Sequence, residues 1–202
     1  MAVVEIGDPR SVLWEIRRLV PSRGLEPWED LRIAEHQARR LLQLLGIVRP
    51  PVSLAEITAL LDIRVTIDHG STVVIPSEPE WEAGGWHITV AHVSSRRIHA
   101  IVAHQLKHVL DDQFGSLLYP PTELLTTADR RDRAAAHFAG SLLMPRDWVK
   151  ESWCRGDHMI PTLARRFGSP EAMVRTRLAT LGLSCPDEQS GVVCRAAACQ
   201  VK

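Results

Sequence analysis

Two stretches decide how this chain is read: AHQLKHVLDD at residues 103–112 and DRAAAHFAGSLLMP at residues 132–145. Both carry the helical period. Ile98, Ile101, Val102, Leu106, Val109 and Leu110 form one apolar stripe, which predicts a helix from Arg96 to Asp112. Ala135, Phe138, Ala139, Leu142 and Leu143 form another, which predicts a helix from Ala128 to Met144, ended by Pro145. His104 and His108 are four residues apart and project from one helical face, one turn apart. That spacing lets two imidazole nitrogens reach one tetrahedral zinc. The competing reading is a pair of partly exposed histidines on an amphipathic helix, since the spacing alone also arises by chance.

Working toward the N-terminus, Leu31, Ala34, Ala38, Leu41, Leu42 and Leu45 predict a helix within Trp28–Leu45, stopped by Gly46 and by Pro50-Pro51. Pro21 to Pro27 separates it from a short amphipathic opening, Val12 to Val20. Ser53 suits the N-cap of a short helix through Leu61. The rhythm then changes. Ile63, Val65 and Ile67 alternate with polar neighbours, Ser71 to Ile75 is β-rich, Gly84-Gly85 reads as a turn, and Trp86 to Val93 alternates again. Two or three strands of a small antiparallel sheet are expected. Toward the C-terminus, Leu163–Phe167 and Glu171–Leu181 read as helices around Gly168-Ser169-Pro170, with Ser169 as N-cap and Pro170 first in the helix. The fold class is α+β. Three parts are expected: an N-terminal segment (1–27), a main domain (28–183) and a flexible tail (184–202).

The chain has 202 residues, 45% of them apolar and 24% charged, and a formal net charge of zero. These values fit a folded chain with a sizeable core and give no global pull toward nucleic acid. No apolar run approaches the roughly 18 residues of a membrane span, and the start lacks a signal-peptide pattern, so a cytoplasmic location without membrane contact is expected. In that compartment Cys154, Cys185, Cys194 and Cys199 are expected to be plain thiols. There is no Gly-rich phosphate loop and no G-x-S-x-G element.

His104-Gln105-Leu106-Lys107-His108 differs from the zincin signature H-E-x-x-H at one position, Gln105. With the LLMP helix that follows, it resembles the ImmA/IrrE family of metallopeptidases, which pair H-E-x-x-H with E-x-x-A-x-x-F-A-x-x-L-L-M-P. A less specific likeness runs from about Leu41 to Leu183. The resemblance implies a zincin-like fold, with a small sheet, a metal-binding helix and C-terminal helices, and zinc held by His104, His108 and Asp132. Asp132 stands where the family has Glu and is one methylene shorter. Its spacing to Ala135 and Ala139 extends the apolar stripe, where a carboxylate needs a partner and a metal is one. The alternative is a helix-start aspartate stabilised by the macrodipole. Asp129, Glu123, Asp111 and Asp112 compete for the same role, and His137 reads as an ordinary surface or edge histidine.

Gln105 bears on mechanism. In a zincin the Glu accepts a proton from the attacking water, and a glutamine amide cannot do so at neutral pH. The loss should be at least about 10²-fold in rate, with metal binding spared. The resemblance implies a zinc endopeptidase-like protein of the kind that cleaves helix-turn-helix repressors, with hydrolysis impaired, and a protein partner gripped in extended form along a sheet edge. One alternative is a non-catalytic zinc-binding regulator of such a protein. Another is DNA binding through the C-terminal helix pair with Arg165, Arg166, Arg175 and Arg177, a less favoured reading because those helices belong to the domain in this family. Trp81, Trp86, Trp148 and Trp153 are read as core or edge packing before they are read as a cleft lining.

Overall fold

A computed structural model describes residues 9–70, 78–112 and 114–183, with the backbone alone for 9–11. The elements run α1 (Pro9–Arg17), α2 (Glu29–Leu44), α3 (Leu54–Leu60), β1 (Ile63–Asp68), β2 (Glu80–Glu82), β3 (Gly85–Ala91), α4 (Ser95–Asp111), α5 (Gly115–Leu118), α6 (Thr127–Leu143), α7 (Arg146–Cys154), α8 (Ile160–Phe167) and α9 (Glu171–Thr180). This is the mixed α and β architecture that the periodicity implies. The residues 71–75, read as β-rich, and the tail with Cys185, Cys194 and Cys199 lie outside the described residues.

The helices form because each has one apolar face to bury. α2, whose Ala34, Ala38 and Leu41 are fully buried, packs against α6, whose Ala135, Phe138, Ala139 and Leu142 are fully buried, and α6 also packs against α4. Apolar burial of this kind stabilises by roughly 25 cal/mol per Å² of surface removed from water. Gly46 follows α2 with a φ of 64°, the left-handed stop expected of it. Ser53 accepts a hydrogen bond from the Glu56 backbone at 3.4 Å and caps α3 as predicted. Between the first turns of α2 and α6, Arg130 grips Asp30 with two hydrogen bonds of 2.9 and 2.8 Å and donates another, of 2.7 Å, to the Leu25 carbonyl. Both side chains are buried, so neither charge could remain there alone.

Three expectations need correction. The sheet is mixed rather than antiparallel. Its order is β1-β3-β2, with β1 parallel to β3 and only β2 antiparallel. The segment between β1 and β2 is long enough to bring the chain back on the far side of β3, which alternation within the strands cannot reveal. Ser169 does not cap α9. It is fully buried, its hydroxyl donates to the Phe167 carbonyl, and Pro170 holds the N-cap position. Cys154 is disulfide-bonded, so it is not the plain thiol expected. Two helices were also missed. α5 is a single short helix within the break read at Gly115, and α7 begins directly after Pro145.

The hairpin between β2 and β3 turns on Ala83 and Gly84, with φ of 47° and 84°, one residue before the Gly-Gly pair that the sequence suggests. A two-residue turn of this hand needs positive φ at both positions, and Asn-Gly supplies it best. Ala83→Asn should therefore stabilise the protein by about 1 kcal/mol in urea denaturation, since alanine carries the left-handed penalty there.

Candidate metal centre

The candidate site lies where the N-terminal turns of α6 approach the C-terminal half of α4. The chain enters α6 through a capping box. Thr126 accepts from the Asp129 backbone at 3.1 Å, and the Asp129 carboxylate accepts from the Thr126 backbone at 2.9 Å. This fixes the start of the helix, and Asp132 follows one turn later. It also occupies Asp129, one of the competing carboxylates.

Asp111 is occupied too. It pairs with Lys107 inside the protein and accepts a 2.7 Å hydrogen bond from the Tyr119 hydroxyl, while Lys107 bonds that hydroxyl at 2.9 Å. Burial pushes the Lys107 amine down, opposed by the Asp111 charge, and burial pushes the Tyr119 hydroxyl up. This network ties α4 to the segment after it. Asp112 is the C-cap of α4, and Glu123 is exposed in the loop before α6.

His104 and His108 turn their Nε2 atoms toward each other at 3.1 Å, with one ring edge-on to the other. Asp132 Oδ1 lies 3.3 Å from His104 Nε2. The structure thus brings together the two histidines and the aspartate. The exposure of Asp132 corrects the sequence reading: its side chain is 73% exposed, so it does not lie on the buried face. The charged residue that is buried near the start of α6 is Arg130, four before Ala134, while Arg131 is only partly buried. Arg130 was missed because stripe reading counts apolar residues only.

Zinc bonds of about 2.0–2.1 Å put tetrahedral ligand atoms roughly 3.3 Å apart. The separations of 3.1 and 3.3 Å match two such edges. The third edge is open, since no ion pair among the described residues joins Asp132 to His108. Accordingly, no group of three His, Cys, Asp or Glu side chains among them is gathered as a formed metal site. The donor types nevertheless suit zinc, and of the three candidate donors the exposed Asp132 has the most freedom to adjust.

His108 is held down to about 3 by burial first, then by the charges of His104, Arg131 and Lys107. Burial also lowers His104, with Asp132 opposing. Both rings are therefore neutral at pH 7, the form that ligates. The same shifts set a pH dependence. The folded values lie below the unfolded value of 6.5, so the unfolded chain takes up protons that the folded chain refuses. Stability is full above pH 6.5 and falls as pH drops below it. Urea denaturation of chelator-treated protein should show a loss of about 1–2 kcal/mol between pH 7 and 5, reduced in His108→Ala.

Gln105 follows His104 and is 4% exposed, with a buried Oε1 that has no hydrogen-bond partner. Its carbonyl oxygen is therefore left without a hydrogen-bond partner inside the protein. His137 is half-buried and faces Glu35 at 3.8 Å. Trp86 is buried against the edge of Trp81, with ring centres 5.4 Å apart, and Trp153 packs on His158 at 4.5 Å. Arg177 is not a surface base: it is buried, donates to the Met144 carbonyl at 3.0 Å and pairs with Glu35 at 3.0 Å. One of the four arginines proposed to meet DNA is thereby built into the core.

Residues 90–179 match the family model Peptidase_M78, the IrrE N-terminal-like domain. This stretch holds both histidines, Gln105 and Asp132, and the resemblance to ImmA/IrrE proteins holds on this finding. A solved structure of a Mycobacterium tuberculosis transcriptional regulator is similar, with a TM-score of 0.58 and 20% sequence identity. The match covers 83% of this chain and 52% of that one, so the chain spans about half the regulator's length. At that identity the likeness shows the fold. No curated protein gives a significant match. Among the described residues, no helix is long and apolar enough to cross a membrane.

Proposed function

We propose that residues 28–183 form a zinc-binding metallopeptidase-like domain that acts on a protein partner, with hydrolysis impaired by Gln105. The observation that carries this reading is the convergence of His104 Nε2, His108 Nε2 and Asp132 Oδ1 within the segment that matches the IrrE-like domain. When bound, zinc supplies Lewis acidity toward a carbonyl oxygen and toward water. The chain supplies the rest. His104 and His108 hold the metal as neutral imidazoles, and Asp132 adds the anionic ligand. Gln105 can orient a water by hydrogen bonding but cannot take its proton. β1 leaves one edge unpaired among the described residues and can receive an extended chain by strand addition. The partner class that the family resemblance suggests is a helix-turn-helix repressor, and the compartment is the cytoplasm.

A second reading, a regulator that binds such a protein without cutting it, is favoured by Gln105 itself. Metal analysis of the purified chain tests what the two readings share: about one zinc per chain is expected. Asp132→Ala should weaken zinc less than loss of a histidine does, because two imidazoles remain. Zinc affinity unchanged in that variant would remove Asp132 from the ligand set.

A further inference from the structure

Arg131 stands beside the candidate centre with its stem pinned and its head underused. A Cβ placed on Gly115 would meet its Nε at 3.0 Å, its Cζ at 3.3 Å and its Cδ at 3.4 Å, so the start of α5 lies close against this side chain. Its Nε is buried without a hydrogen-bond partner. Its Nη1 is met only loosely by Glu78, at 3.5 Å, and the Glu78 side chain is 76% exposed. Arg131 precedes Asp132 in the chain, and its charge is felt at His108. A guanidinium is a planar fork suited to a carboxylate, and this one lies next in the chain to the candidate ligand Asp132.

We propose that Arg131 binds a carboxylate of the peptide partner at this site, and that Glu78 holds that place in the free protein. The inference deepens the functional reading above and rests on it in assuming that a peptide lies along the site. The ligand chemistry is a peptide-borne carboxylate, from an acidic side chain or a chain terminus. Glu78 is the internal competitor, carried by the segment that leads into β2 and able to leave because it is exposed.

The test is titration of the full chain, followed through the Arg Nε–H resonances, with three peptides: acetyl-AAEAA-amide, acetyl-AAQAA-amide and acetyl-AAQAA with a free C-terminus. At least one carboxylate peptide should bind about five- to tenfold more tightly than the neutral one. Preference for the first or the third identifies a side-chain or a terminal carboxylate as the source. Glu78→Gln should increase the preference a few-fold by removing the competitor. Arg131→Gln should abolish it, and Arg131→Lys, which keeps the charge but loses the fork, should retain part of it. Equal affinity for all three peptides, no binding of any at millimolar concentration, or a preference that survives Arg131→Gln would overturn the proposal. Zinc content is measured on the same samples, and the titration is repeated after chelation. A carboxylate preference in a chain that binds no zinc would sink the metallopeptidase reading and leave the role of Arg131 standing.

Discussion

The Gln105→Glu variant should cleave a protein substrate at least about 10²-fold faster than the unchanged chain, with the same zinc content. Glutamine and glutamate are nearly isosteric, so the substitution keeps the shape of the site and adds a proton acceptor. The structure sharpens the expectation. Position 105 is 4% exposed, and its Oε1 has no partner. Burial would raise the pKa of a carboxylate there, toward the range in which a general base works near neutral pH. The same burial predicts a modest loss of metal-free stability, because a buried acid without a partner is costly. The assay pairs each form with a helix-turn-helix repressor from the same genome and follows its fragments. Cleavage confined to the glutamate form identifies a disabled peptidase. Binding by both forms with cleavage by neither identifies a regulator.

His108→Ala should remove most of the zinc. Two imidazole nitrogens 3.1 Å apart make a chelating pair, and deleting one leaves His104 with an exposed carboxylate. The loss of affinity should exceed the roughly 10–100-fold seen when only an outer-shell partner is removed, because a bond to the metal itself is lost. Competition with a fluorescent zinc chelator gives the number, and circular dichroism shows whether the fold is retained. Full zinc occupancy in the variant would dismiss His108 as a ligand. Zinc held instead by residues outside the described stretches would show as loss only when those are changed.

The helices that frame the site were legible because each has a strong amphipathic period. The stripes that end at Leu110 and Leu143 need no partner to be recognised, since burying one face of a helix demands that spacing. The HxxxH pair was legible for a related reason: helical geometry alone places positions four apart on one face. The turn at Gly46 and the cap at Ser53 were read from local chemistry, and local chemistry settles them. The capping box of Thr126 and Asp129 was equally local but was overlooked, because Asp129 was weighed only as a ligand.

The sequence by itself therefore determined the helices that frame the site, the histidine pair and the departure at Gln105, all of which depend on short-range geometry. Tertiary structure decided what depends on contacts between distant segments. It set β1 parallel to β3, it turned Arg177 into the core, and it paired Asp111 with Lys107 and Tyr119. It also left Asp132 exposed beside His104 and set Arg131 against Gly115. A charged side chain has no preferred burial until a partner arrives from elsewhere in the chain. Pairing distant groups fixes their exposure, and periodicity along one helix holds no record of which neighbour will come.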